Sequence, residues 1–139
     1  MSLVINDGLL VGRLCVSWSD EVLRRLRDND DELLTLDLAY KGIEDAGAEK
    51  IAATLKSNTV LIELILDGNG ITAAGARKIS RALAVNTTLT HLDLKCNPLL
   101  EGGLRAIAEA LAMNTTLKQL EQTRQSIVKG LAARLCILL

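Results

Sequence analysis

The sole histidine, His91, is followed two residues on by Asp93 and five residues on by Cys96. If the segment is a strand, alternate residues share a face, so an imidazole would stand beside a carboxylate, an arrangement capable of acid-base work. Cys96 would lie beyond a turn, and no serine is placed to serve as nucleophile. A second candidate is the stretch LDGNGITAAGARK at positions 66–78. A short apolar run that delivers a glycine turn to a helix start is the setting of a phosphate cradle, because free backbone N–H groups and the positive dipole end converge there. Gly68 and Gly70 have the required separation, but the third position holds Ala73, Gly75 lies too far on, and no Gly-Lys-Ser/Thr follows. Asp67 and Asn69 also open like a calcium loop, yet Ile71, Thr72 and Lys78 stand where an oxygen ligand, a glycine and a glutamate are needed. These residues therefore predict no catalytic group, no cofactor and no metal, and the chain is not expected to be an enzyme.

The elements that position these residues are repeats. LLTLDLAYKGIEDAGAEKIAATLKSNTV begins at Leu33, LIELILDGNGITAAGARKISRALAVNTT at Leu61, LTHLDLKCNPLLEGGLRAIAEALAMNTT at Leu89 and a partial copy at Leu117, each 28 residues after the last. Leu36 and Leu38, Leu64 and Leu66, Leu92 and Leu94 have the period of two of a half-buried strand. Asn69 and Asn97 follow, where an amide can bond the turn. Ile51 and Leu55, Ile79 and Leu83, Ile107 and Leu111 form a helical stripe. Asn58, Asn86 and Asn114 are expected to end the helices in the left-handed cap conformation. Ala48 and Ala76 are expected to let helix and strand lie close.

The pattern LxxLxLxxN-x-I/L followed by G-A-x-x-I-A-x-A-L-x-x-N-T resembles the long, ribonuclease-inhibitor type of leucine-rich repeat, also found in NOD-like receptors and tropomodulins. The resemblance covers residues 33 to 139. It implies an α/β solenoid, a right-handed horseshoe arc with a short parallel sheet on the concave face and helices on the convex face. It also implies binding of proteins rather than catalysis.

The predicted organisation is an N-terminal segment with a capping half-repeat over 1–32, then repeats at 33–60, 61–88, 89–116 and a partial one at 117–139. Ser19 is the expected N-cap of the half-repeat's helix, ahead of Asp20 and Glu21. The segment before it either lies over the end of the core or belongs to an interface. At the other end LCILL lacks a polar cap, so the chain is either a fragment of a longer protein or self-associates through its C-terminal repeat.

With 49% hydrophobic but 1% aromatic residues, the core must be leucine, isoleucine and alanine. A net charge of −1 gives no reason to expect a nucleic acid or an anionic membrane as partner. No apolar stretch has the length of a membrane span. Cys15, Cys96 and Cys136 have no metal-ligand spacing and read as buried thiols of a cytoplasmic protein. Asn86-Thr-Thr and Asn114-Thr-Thr match a glycosylation acceptor but fall in the repeat's own helix-end column.

Function is expected on the solvent side of the strands. The columns there read Thr35, Glu63, His91, Gln119; then Asp37, Ile65, Asp93, Glu121; then Ala39, Asp67, Lys95, Thr123. Five carboxylates against one lysine make an acidic strip suited to a basic protein partner. Ile65, with Tyr40 nearby, is the candidate apolar anchor. The outward helix positions, Lys50, Lys56, Arg77, Lys78, Arg81 and Arg105 among them, are mostly basic. Three classes remain open: a general interaction scaffold, a cytoskeletal module and a piece of a sensor domain. For the second, VLRRLRDNDDELLTLDL is similar to the opening of the tropomodulin repeat domain and LEQTRQSIVKGLAARL to its end repeat, which would imply actin as partner.

Overall fold

A computed structural model describes residues 2–4 and 18–121. Among them lie five strands and four helices in strict alternation from the second strand onward. The strands are β1 (Ser2–Val4), β2 (Thr35–Asp37), β3 (Glu63–Ile65), β4 (His91–Asp93) and β5 (Gln119–Glu121). The helices are α1 (Trp18–Arg27), α2 (Glu44–Leu55), α3 (Ala73–Leu83) and α4 (Leu100–Leu111). All strands pair in parallel in the order β1-β2-β3-β4-β5. Of the N-terminal segment, left open between end cover and interface, residues 2–4 contribute an edge strand, with Leu3 opposite Leu36; the rest lies outside the described residues.

The two layers share one core. Leu36, Leu64, Leu92 and Leu120 are the inward residues of β2 to β5, and Ile51, Leu55, Ile79, Leu83 and Ile107 reach them from the helices, all buried. Burial of such side chains contributes roughly 1.5–3 kcal/mol each. At the N-terminal end Val22 and Leu26 of α1 extend the same core, as a half-repeat must to keep the stack's end out of water. Neighbouring strands sit about 4.8 Å apart and packed helices about 8–10 Å apart. A stack that alternates the two must curve, with the sheet inside.

Two asparagine columns join the repeats. Asn86 donates through Nδ2 to Leu55 O at 2.8 Å in the preceding repeat and accepts from the N–H groups of Thr88 and Leu89 at 3.0 and 2.8 Å. Asn58 and Asn114 repeat this pattern towards Leu26 and Leu83. The backbone at these three residues is not left-handed, contrary to the cap expected for them; Asn29 has that conformation, at φ 52°. Their amides do the capping instead, satisfying helix-end carbonyls that would otherwise be orphaned. At the opposite edge Asn97 donates to Leu66 O at 2.8 Å and accepts from Asn69 N and Ile71 N at 3.0 Å each.

The helices approach one another through small residues. A Cβ on Gly103 would lie 3.0 Å from Ala76 Cβ, and one on Gly75 would lie 3.2 Å from Ala48 Cβ. The alanine column therefore lies where neighbouring helices meet. Helix α1 begins at Trp18, so Ser19 sits inside its first turn rather than at the cap. Cys96 is exposed, where a buried thiol was expected. The other two cysteines, the C-terminal LCILL and the proposed self-association surface lie outside the described residues.

Candidate functional site

The outward residues of the strands do form columns. Thr35, Glu63, His91 and Gln119 are in register, as are Asp37, Ile65, Asp93 and Glu121. Alternation on a strand sends these side chains to the face opposite the core leucines, and all keep some exposure. A shallow depression of about 240 Å³ opens between β3, β4 and β5, lined by Glu63, Ile65, His91, Asp93, Lys95 and Glu121 among others.

The charges in this strip are not equivalent. Lys95 pairs with Glu121 and lies 3.7 Å from Asp93 Oδ2. That hydrogen bond to Lys95 holds the Glu121 carboxyl below the usual range, and Glu121 in turn raises the lysine. Asp93 moves the other way: burial pushes its carboxyl up, and the Lys95 N–H and ammonium only partly offset this. Towards β2 the carboxylates have weaker company. Thr35 Oγ1 donates to Glu63 at 3.3 Å, and Asp37 accepts from Ala39 N at 3.0 Å in its own turn. Among the described residues the carboxylates of the strip without a basic partner are therefore Asp37, Glu63 and Asp67, on β2 and β3 and the turn after β3, away from Lys95's two partners.

Tyr40 is 68% exposed and stands where β2 ends, with a left-handed backbone at φ 56°. Gly68, one repeat later, makes room for its ring; a Cβ on Gly68 would collide with it. The Tyr40 hydroxyl and the Cys96 thiol both lie near Asp67, whose carboxylate raises the pKa of each. Asp67 Oδ1 itself is buried and meets no donor among the described residues. A thiol held protonated is a poor nucleophile. His91 Nδ1 meets the Thr90 hydroxyl at 2.7 Å, while Asp93 serves Lys95. The histidine, the aspartate and the thiol thus have separate partners, and no cluster of groups able to hold a metal ion occurs among the described residues.

One carboxylate escaped the sequence reading. Asp45, in the first turn of α2, accepts from Thr72 Oγ1 at 2.6 Å, Thr72 N at 2.8 Å and Gly75 N at 2.9 Å. It caps the N-terminus of the next helix along with Thr72 itself. Desolvation raises its carboxyl, but the three hydrogen bonds outweigh this and leave it below the usual range. The signal available in the sequence was an aspartate 27 residues before the one threonine at a helix start.

A parallel sheet backed by helices at a 28-residue period, with a charged open face, defines a leucine-rich repeat module. The chain belongs to the TMOD/LMOD leucine-rich domain family, whose model matches residues 19–134. Of the families it resembled, the match selects the tropomodulin group and gives no separate support to the ribonuclease-inhibitor type. Among solved structures it is similar to leiomodin-1 actin-binding site 2, with a TM-score of 0.66 and 26% identity over 88% of each chain. It also shares the fold of the tropomodulin C-terminal domain of Caenorhabditis elegans, with a TM-score of 0.70 and 14% identity over 88% of this chain and 91% of that one. No curated protein sequence matches it. No helix among the described residues is long and apolar enough to cross a membrane.

Proposed function

We propose that this domain is an actin-binding module of the cytoplasmic cytoskeleton that engages its partner through the outward face of the sheet. The observation that carries the actin assignment is membership of the TMOD/LMOD family together with the likeness to leiomodin-1 actin-binding site 2. The proposed surface is Thr35, Asp37, Tyr40, Glu63, Ile65, Asp67, His91, Asp93, Lys95, Gln119 and Glu121. Asp37 and Glu63 steer basic groups of the partner, while Ile65 and the exposed Tyr40 ring supply apolar contact. Filament co-sedimentation tests it, comparing wild type with Asp37→Asn/Glu63→Gln at low and high salt. Wild type pelleting with actin, weakened by salt and by the double variant, supports the assignment. Actin binding untouched by the variant removes the sheet face as the site, and no actin binding at all leaves a scaffold for a different protein.

A further inference from the structure

The outer, helical face carries a second surface. Between α2 and α3, Glu49 and Lys78 close the groove with an ion pair at 2.5 Å. One repeat later the same two positions hold Arg77 and Ala106, so no bridge can form there. What remains is an open trough of about 620 Å³ between α3 and α4. Its lining holds the small residues Ser80, Gly102 and Ala106, three arginines, Arg77, Arg81 and Arg105, and two glutamates, Glu101 and Glu109. Arg105 is held by Glu101 at 2.8 Å. Arg77 lies across Gly102, so closely that a Cβ there would come within 3.1 Å of its guanidinium nitrogen. Neither Arg77 nor Arg81 has an ion pair among the described residues.

We propose that this trough docks an acidic segment of a protein partner, with carboxylates against Arg77 and Arg81 and the peptide backbone over Ala106. The forked guanidinium donors match carboxylate geometry bidentately. Small residues in the lining leave room for a peptide backbone, and no lysine–glutamate pair spans this trough as Lys78 and Glu49 do between α2 and α3. This surface faces away from the sheet, so it stands or falls independently of the actin assignment.

The test is fluorescence anisotropy of a labelled oligo-glutamate peptide on the whole chain at physiological ionic strength, where unpaired surface charges act only over about 8 Å. Oligo-lysine of the same length is the comparison. Wild type binds oligo-glutamate in preference to oligo-lysine. Arg77→Ala/Arg81→Ala weakens that binding about tenfold, as the loss of two exposed ion pairs would. Lys50→Ala/Lys56→Ala, on α2 and at its C-terminal cap, leaves it unchanged. These are exposed positions, and an unchanged thermal midpoint shows that each variant is folded. Absence of oligo-glutamate binding overturns the proposal, as does equal weakening by both double variants, which would mean diffuse attraction. Binding of phosphatidylserine vesicles without binding of the peptide would overturn it in favour of a lipid surface.

Discussion

The two edges of the repeat stack obey different rules. Where helices end and strands begin, Asn58, Asn86 and Asn114 make the same contacts in three consecutive repeats. Where strands end and helices begin, the helix starts differ: Glu44 at φ 53°, Thr72 extended and capping, and Leu100 at φ 54°. One edge has a single solution to the orphaned carbonyls of helix ends, and every repeat uses it. The other satisfies its backbone through Asn69 and Asn97 and leaves the neighbouring positions free to vary. The exposed Tyr40, Cys96 and Leu100 all belong to that variable edge. Constancy marks what holds the stack, and variation marks what is available for recognition.

The largest expected effect strikes the constant edge. Asn86→Ala leaves Leu55 O and the N–H groups of Thr88 and Leu89 without their buried partner, and should cost about 3 kcal/mol in urea unfolding. A cost below that of the Asp45 change would abolish the distinction between edges. Next comes the helix spacing. A methyl at Gly75 would lie 2.5 Å from Asp45 Oδ1 and 2.8 Å from Ile71 Cγ2, so Gly75→Ala should cost about 2 kcal/mol by the same measurement.

On the variable edge the effects are smaller. Asp45→Asn keeps one acceptor and loses the charge, for about 1 kcal/mol near neutral pH. Because the folded state lowers this carboxyl, its contribution is full above the ordinary aspartate range and is lost as pH falls through the lowered folded value. Urea midpoints measured against pH should therefore show wild type and variant converging in acid. The smallest change has the opposite sign. Leu100 is exposed and left-handed, so Leu100→Gly should relieve strain and stabilise by about 0.5 kcal/mol, seen as a slightly higher thermal midpoint.

Strand register and the core were legible because each rests on a side chain repeated at one spacing; Leu36, Leu64, Leu92 and Leu120 leave no other solution. The outward columns followed from alternation alone. The Asp45 cap was not legible, because it joins α2 to α3 once and has no copy between α3 and α4. The pairing of Lys95 with Glu121, which splits the acidic strip into a balanced and an unbalanced end, depends on side-chain reach across strands rather than on spacing. The helix-to-helix contact of Ala48 and Ala76 was not legible, because smallness says that something approaches closely without saying what.

The asparagine bridges reach only one repeat back, to Leu26, Leu55 and Leu83 in turn. A structure tied solely between adjacent units can gain or lose a whole 28-residue unit in a gene duplication or deletion without needing any new kind of contact at the junction. Reach along the partner is thus a quantity that evolution can adjust in steps, while the curvature and chemistry of each step stay as they are.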